Sequence, residues 1–222
     1  MKRYLNHKET SPNGFHDKSL RNESFLRKKI AREAANFLYS GIEKEFKQAK
    51  LKAVKTLGIN LLPSNLEVAI EVDKIADEHE GASRQERLIK MRREALELMQ
   101  MLQEYSPLLV GSVWRGTTHY ASDIDIIVRH DSPEEISEIL KQNGIKVTHI
   151  ERSFVTEKGA KSGSFHIHAE TWTREKAEIM VTDSEETEKP KCKIYGDKIV
   201  GLTPHELEDL LKKNPKKRFI PY

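Results

Sequence analysis

One cysteine, Cys192, among 222 residues excludes an internal disulfide framework and a Cys-rich zinc site. No stretch approaches the run of about eighteen apolar residues that a membrane-spanning helix needs. The opening Met1-Lys2-Arg3-Tyr4-Leu5-Asn6-His7 lacks the apolar core of a secretory signal. These absences lead us to expect a cytoplasmic protein with no membrane partner. What is present is 37% hydrophobic and 33% charged residues, with a mean hydropathy of −0.65. That is too patterned for a disordered tail and too polar for a bilayer, with apolar material for one real core. The length suits one ordinary domain or two small ones.

Charge is unevenly spread. The first sixty residues hold fourteen Lys and Arg against six Asp and Glu, so of the net +3 they carry +8 and the remainder −5. A basic arm beside a more acidic body points to a polyanion such as RNA as a partner for the arm. A Lys-rich solvated helix face is the plainer reading of the same residues.

The hydrophobic pattern divides the chain. Residues 1–22, with the turn cluster Ser11-Pro12-Asn13-Gly14, read as a loose N-terminal extension. Residues 23–82 read as a basic helical region. In it Phe25, Ile30, Ala34, Leu38, Ile42, Phe46, Ala49 and Ala53 recur at helical spacing, as one long helix closed by Gly58. Three Ser-x-x-Glu capping boxes, Ser64–Glu67, Ser83–Glu86 and Ser132–Glu135, predict helix starts near 65, 84 and 133. The helix after Ser83 places Leu88, Met91, Ala95, Met99 and Leu102 on a buried stripe. Beyond residue 105 the texture becomes strand-like at 108–110, 124–128, 145–150, 165–169 and 177–181. Thr203-Pro204 then opens a last helix, which runs into the basic tail 212–218. The expected class is α+β, a small mixed sheet with packed helices preceded by a helical region. Residues 83–185 carry the chemistry and 186–222 form the C-terminal helix and tail.

The informative stretch runs from Leu109 to Val128. Asp123 and Asp125 alternate along a strand, which puts both carboxylates on one face with Cα atoms about 6.5–7 Å apart. Gly111-Ser112 follows a short strand directly, where glycine lets backbone approach a ligand and the hydroxyl and nearby N–H groups can hold phosphate oxygens. Gly116-Thr117 is a second small-residue point, and Arg115 is a fixed cation for a triphosphate. Paired carboxylates beside phosphate holders suit Mg²⁺ and phosphoryl or nucleotidyl transfer.

Gly111-Ser112-x-x-Arg115-Gly116-Thr117 followed by Ser122-Asp123-Ile124-Asp125 resembles the signature of the DNA polymerase β-like nucleotidyltransferase superfamily. The Arg-Gly-Thr variant is most similar to the catalytic domain of archaeal CCA-adding enzymes and related small archaeal nucleotidyltransferases. The resemblance covers roughly residues 84–185 and implies the nucleotidyltransferase fold. It implies that Gly111, Ser112, Arg115, Gly116, Thr117 and Ser122 bind a nucleoside triphosphate such as ATP. By the same resemblance Asp123 and Asp125 hold Mg²⁺ or Mn²⁺, with a third carboxylate from a neighbouring strand. Glu178, in Lys176-Ala177-Glu178-Ile179, occupies the matching place where the family usually has Asp; Glu170 and then Asp183 are the next candidates.

The implied activity is metal-dependent transfer of a nucleoside monophosphate to a hydroxyl acceptor, whether RNA, a protein side chain or a small molecule. CCA addition itself is not expected, because full CCA-adding enzymes carry further domains. The alternative is a non-catalytic nucleotide- or RNA-binding protein, or the antitoxin of a toxin–antitoxin pair. Trp114, Tyr120 and Trp172 lie near the motif and offer base stacking or packing. His166 and His168 share a strand face, but without a Cys or His partner at zinc-like spacing they are read as groove-lining rather than ligating. Acceptor, base preference and oligomeric state are not legible in the sequence.

Overall fold

The computed structural model describes residues 13–157, 160–183 and 191–221. It divides into two compact units, Met1–Val72 and Asp73–Tyr222.

The first unit contains α1 (Asn13–Tyr39), α2 (Phe46–Leu57) and the N-terminal part of α3 (Asn65–Glu80). Of the expected loose extension 1–22, residues 1–12 lie outside the described residues, and from Asn13 the chain is already helical. The single long helix expected up to Gly58 is two helices. Gly41 takes a left-handed φ of +72°, and the Ser40 hydroxyl donates to the Asn36 carbonyl at 2.7 Å. The last turn is thereby closed, and the chain reverses through residues 40–45. The break changes which residues are buried. Ile30, Ala31, Ala34, Ala35, Ala49, Ala53 and Val68 form the interior, whereas Phe25 and Ile42 are 66% and 56% exposed. Alanines dominate the contact, so the two helices approach closely. At the start of α3 the expected capping box forms: the Ser64 N–H donates to Glu67 at 2.7 Å, and the Glu67 N–H to Ser64 Oγ at 3.1 Å.

The second unit begins within α3 and continues through α4 (Ala82–Met101), β1 (Leu108–Val110), α5 (Gly111–Arg115), β2 (Ile124–Arg129) and α6 (Pro133–Gln142). It is completed by β3 (Lys146–Glu157), β4 (Ala160–Glu170), β5 (Lys176–Thr182) and α7 (Pro204–Lys213). The expected box at Ser83–Glu86 does not form. Helix α4 starts at Ala82 after a left-handed Gly81, and Ser83 Oγ donates back to the Glu80 carbonyl at 2.7 Å. At α6 only half the box forms. Ser132 accepts from the Glu135 N–H, but the Glu135 carboxylate instead accepts from the Tyr105 hydroxyl at 2.7 Å. Thr203 caps α7 in a full box with Glu206, and Pro204 follows at the first helical position.

The strands form a five-stranded mixed sheet in the order β1-β2-β5-β4-β3, so the α+β class is observed. β2 and β5 are parallel, and the other neighbours are antiparallel. One face is apolar because alternation sends Ile124, Ile126, Val128, Ala177, Ile179, Val181, Ile167 and Ala169 to it. There they meet Met91, Leu98 and Met99 of α4 and Leu102 just after it, with Ile136, Leu140, Leu207 and Leu210 from α6 and α7. The alternate residues make the second face polar.

Two buried polar anchors hold this unit in register. Glu94 of α4 accepts from the hydroxyls of Thr171 and Thr173, both at 2.5 Å, and so pins the β4–β5 turn. Arg92, fully buried, donates to the carbonyls of Val113, Trp114, Pro215 and Lys217 at 2.7–3.0 Å. Burial lowers its pKa to about 10, which leaves it charged at neutral pH. It straps the C-terminal segment beneath α5.

Candidate functional site

β1, the turn into α5, and β2 place the motif residues. Val110 pairs with Asp125 across the antiparallel β1–β2 ladder, so Gly111 leaves the strand directly over that carboxylate. Gly111 has φ +67°, and a Cβ built there would lie 1.8 Å from Asp125 Oδ2. Glycine is therefore required twice, by the left-handed backbone and by the close approach. Its missing side chain leaves room for the Asp125 carboxylate.

Glu178 is the direct partner of Asp125 in the parallel β2–β5 ladder, about 4.8 Å away at the backbone and on the same face. Asp123 lies two residues before Asp125. Burial first, and then the charges of Glu178 and Asp123, together push the Asp125 carboxyl up to about 8. Three carboxyl groups crowd one half-buried point with mutual repulsion. Such an all-oxygen donor set fits a hard divalent cation of the Mg²⁺ type.

Glu178 is itself oriented. His166 Nδ1 hydrogen-bonds Glu178 Oε1, and His166 Nε2 lies 3.0 Å from Ser164 Oγ. The other third-carboxylate candidates lie elsewhere. Glu170 pairs with Lys146 across β3–β4 at 3.0 Å, and Asp183 follows the end of β5.

The remaining motif residues are not all brought to the carboxylates. Arg115 is buried. It donates to Asp197 at 2.7 Å and to the Phe219 carbonyl at 3.0 Å, between the rings of Trp114 and Tyr195. A Cβ on Gly116 would lie 3.0 Å from the Lys217 carbonyl, so this glycine lets the C-terminal segment pack close. Thr117 closes α5 through its N–H to the Ser112 carbonyl. The Ser122 hydroxyl accepts from the His119 N–H at 2.9 Å and shapes the loop into β2. Ser112 stays in the turn beside Gly111, partly exposed. Trp114 is core, stacked on Phe219. Trp172 caps the β4–β5 turn with its indole N–H to the Asn143 carbonyl at 3.3 Å, and Tyr120 is exposed.

Sequence reasoning missed a second cluster. Among the described residues, one group of three metal-ligating side chains has its ligand atoms mutually within 4.8 Å, namely His149, Glu151 and His168. A β-bulge between Val147 and His149 pairs His149 with His168 and Ile150 with Ile167. The bulged residue, Thr148, turns the following alternation by one position, which brings His149 and Glu151 to the polar face. A His-x-Glu alternation beside a His-x-His alternation was the available signal; the hairpin and its bulge decide that they meet.

Residues 92–191 match the profile of a family described as a domain of unknown function (DUF4269). No curated protein matches the chain. Among solved structures, a cytoplasmic RNA terminal U-transferase is 20% identical, with 53% of this chain and 34% of that chain covered and a TM-score of 0.31. The Cid1 poly(U) polymerase is 19% identical, with 53% and 38% covered and the same TM-score of 0.31. The matched region spans little more than a third of each of those chains.

Proposed function

We propose that the second unit is a metal-dependent nucleotidyltransferase that moves a nucleoside monophosphate from a nucleoside triphosphate to a hydroxyl acceptor. The acceptor hydroxyl attacks the α-phosphorus, the bond to the β-phosphate oxygen breaks, and pyrophosphate leaves. The observation that carries this reading is the convergence of Asp123, Asp125 and Glu178 beneath the Gly111-Ser112 turn, with the Asp125 pKa raised by burial and by its carboxylate neighbours. Asp123 and Asp125 are the proposed ligands of Mg²⁺ or Mn²⁺, and Glu178 completes the set. The bound cation supplies charge stabilisation to the triphosphate and to the attacking oxygen. Ser112 and the backbone N–H groups of the turn hold phosphate oxygens. His166 orients Glu178 through its hydrogen bond to Oε1. Arg115, Gly116, Thr117 and Ser122 serve the nucleotide indirectly, by fixing the shape of the turn and loop.

RNA is the acceptor class that the first unit supports. The net charge of +8 over the first sixty residues and the exposed Lys47 and Lys55 of α2 suit contacts to phosphates without sequence preference. A second reading, binding without turnover, draws on the Glu178 contact with His166, which engages one oxygen of the third carboxylate. The two readings separate when the chain is incubated with each α-labelled nucleoside triphosphate, Mg²⁺, and total RNA or protein. Transfer predicts label in one macromolecular fraction with matching pyrophosphate release, both absent in Asp123→Asn. Nucleotide bound without label or pyrophosphate selects the binding reading.

A further inference from the structure

The polar face of the sheet holds a row of four side chains in direct register, Asp125, Glu178, His168 and His149, contributed by β2, β5, β4 and β3. Its chemistry changes along the row. The β2–β5 end is carboxylate oxygen, and the β4–β3 end is imidazole nitrogen joined by Glu151 from the next position on β3. We propose that His149, Glu151 and His168 form a second cation site, for a borderline divalent metal of the zinc class, separate from the carboxylate site.

The geometry is that of three ligands short of a closed shell. The ligand atoms lie mutually within 4.8 Å. His168 Nε2 stands 3.4 Å from Glu151 Oε1. The two imidazole rings stack with centroids 4.1 Å apart and planes 9° from parallel. A tetrahedral zinc with bonds of about 2.0–2.1 Å separates its ligand atoms by roughly 3.3 Å. Closing to that separation requires the two stacked rings to turn out of parallel about their side-chain torsions, on a partly exposed surface. Two imidazoles and a carboxylate select zinc, nickel or cobalt over magnesium, because nitrogen donors suit the borderline ions. A fourth position remains for water or a substrate oxygen, as in three-ligand zinc sites that act on substrates.

A neighbouring residue sets the tautomer that such a site needs. The Thr148 hydroxyl donates to the His168 carbonyl at 3.0 Å and lies 3.3 Å from His149 Nδ1. With its hydrogen committed to the carbonyl, Oγ1 is an acceptor towards Nδ1–H, so Nε2 of His149 carries the lone pair. An imidazole that ligates through one nitrogen and donates from the other is the usual arrangement around a metal. Thr148 is also the bulged residue that brings His149 and Glu151 to this face. One residue thus places the ligands and orients one of them. The site rests on the β3–β4 hairpin and stands whether or not the carboxylate end turns over a nucleotide.

The test is titration of the untagged, chelator-stripped full chain with Co²⁺, read by visible absorption, and with Zn²⁺ in competition with a chromophoric chelator. The expected result is one tight equivalent that persists in Asp125→Asn and is lost in the double variant His149→Gln/His168→Gln. Circular dichroism of the double variant must match the wild type. Glu151→Gln, which removes the charged ligand at an exposed side chain, is expected to weaken binding at least about tenfold, no less than the loss of an outer-shell contact costs. The proposal is overturned by absence of a bound equivalent in the wild type, by its retention in the double variant, or by unchanged affinity in Glu151→Gln. Loss of the equivalent in Asp125→Asn alone would assign the ion to the carboxylates instead.

Discussion

The two ends of one row of side chains differ in how the fold treats them. At the β2–β5 end, Asp125 is covered by Gly111 and crowded by Glu178 and Asp123, so its ionised form is disfavoured. At the β3–β4 end, His149 and Glu151 are exposed, and the groups that meet there are two imidazole rings beside a single carboxylate. The covered end is assembled by a tight turn and a parallel ladder, the exposed end by an antiparallel hairpin with a bulge. Burial makes the first end strongly dependent on charge and on each atom of its cover. Exposure makes the second tolerant of substitution. Each of the following experiments breaks or sharpens that contrast.

The largest effect is expected at Asp123 and Asp125. Asp→Asn at either position should lower nucleotide turnover by about 10²–10³-fold or more, the scale of losing one preorganised electrostatic contact. Circular dichroism should report an unchanged fold, since neither side chain contributes to the apolar core.

Next is Gly111→Ala. The left-handed backbone alone costs about 1–2 kcal/mol in a residue with a side chain, and the new methyl group meets Asp125 as well. Chemical denaturation should show the loss of stability, and titration with Mn²⁺ should show weaker binding. The same change at the exposed Gly196, whose Cβ would meet nothing within 4 Å, should leave Mn²⁺ binding intact.

His166→Gln follows, because it frees Glu178 without removing a ligand. Turnover should fall by about 10–100-fold, as for other residues that orient a ligand, while Asp125→Asn in the same background adds its full loss.

A pH series separates the ends by sign. In the cation-free protein Asp125 keeps its proton up to about pH 8, whereas in the unfolded chain it ionises above about pH 4. Between those values the unfolded state binds fewer protons, so this residue makes folding stability fall as pH rises. Asp125→Asn should therefore raise the melting temperature more at pH 8 than at pH 5, by roughly 2–4 °C for each kcal/mol relieved. His149→Gln should not reproduce that pattern.

The smallest effect lies outside the row. Replacing Lys47 and Lys55 with Gln should flatten the dependence of RNA affinity on salt by roughly one to two logarithmic steps. Nucleotide binding should be unaffected. An unchanged slope would remove RNA contact from the first unit.

Much of this was readable before the fold was known, where the determinants are local. Short apolar stretches located all five strands, although β3 and β4 run past the expected 145–150 and 165–169, and Ser64–Glu67 and Thr203-Pro204 marked helix starts that the structure keeps. Asp125 faces the polar side of β2 because alternation sends Ile124 and Ile126 to the core, whereas Asp123, expected on the same strand, precedes β2. The failures are non-local. Gly41 breaks a helix that its neighbours' periodicity favours, because the two halves bury their alanines against each other. Arg115 looks like a phosphate cation in the motif, yet Asp197 and Phe219, more than eighty residues away in sequence, occupy it. The partner of His168 was invisible because a bulge, not a spacing, brings His149 to it.

The most direct measurement is Mn²⁺ binding by electron paramagnetic resonance in the presence of a non-hydrolysable nucleoside triphosphate. It compares the wild type with Asp125→Asn and with His149→Gln/His168→Gln. If the covered carboxylates are the nucleotide-metal site, the bound-Mn²⁺ signal is lost in Asp125→Asn and retained in the double histidine variant. Retention of the signal in Asp125→Asn would contradict that assignment.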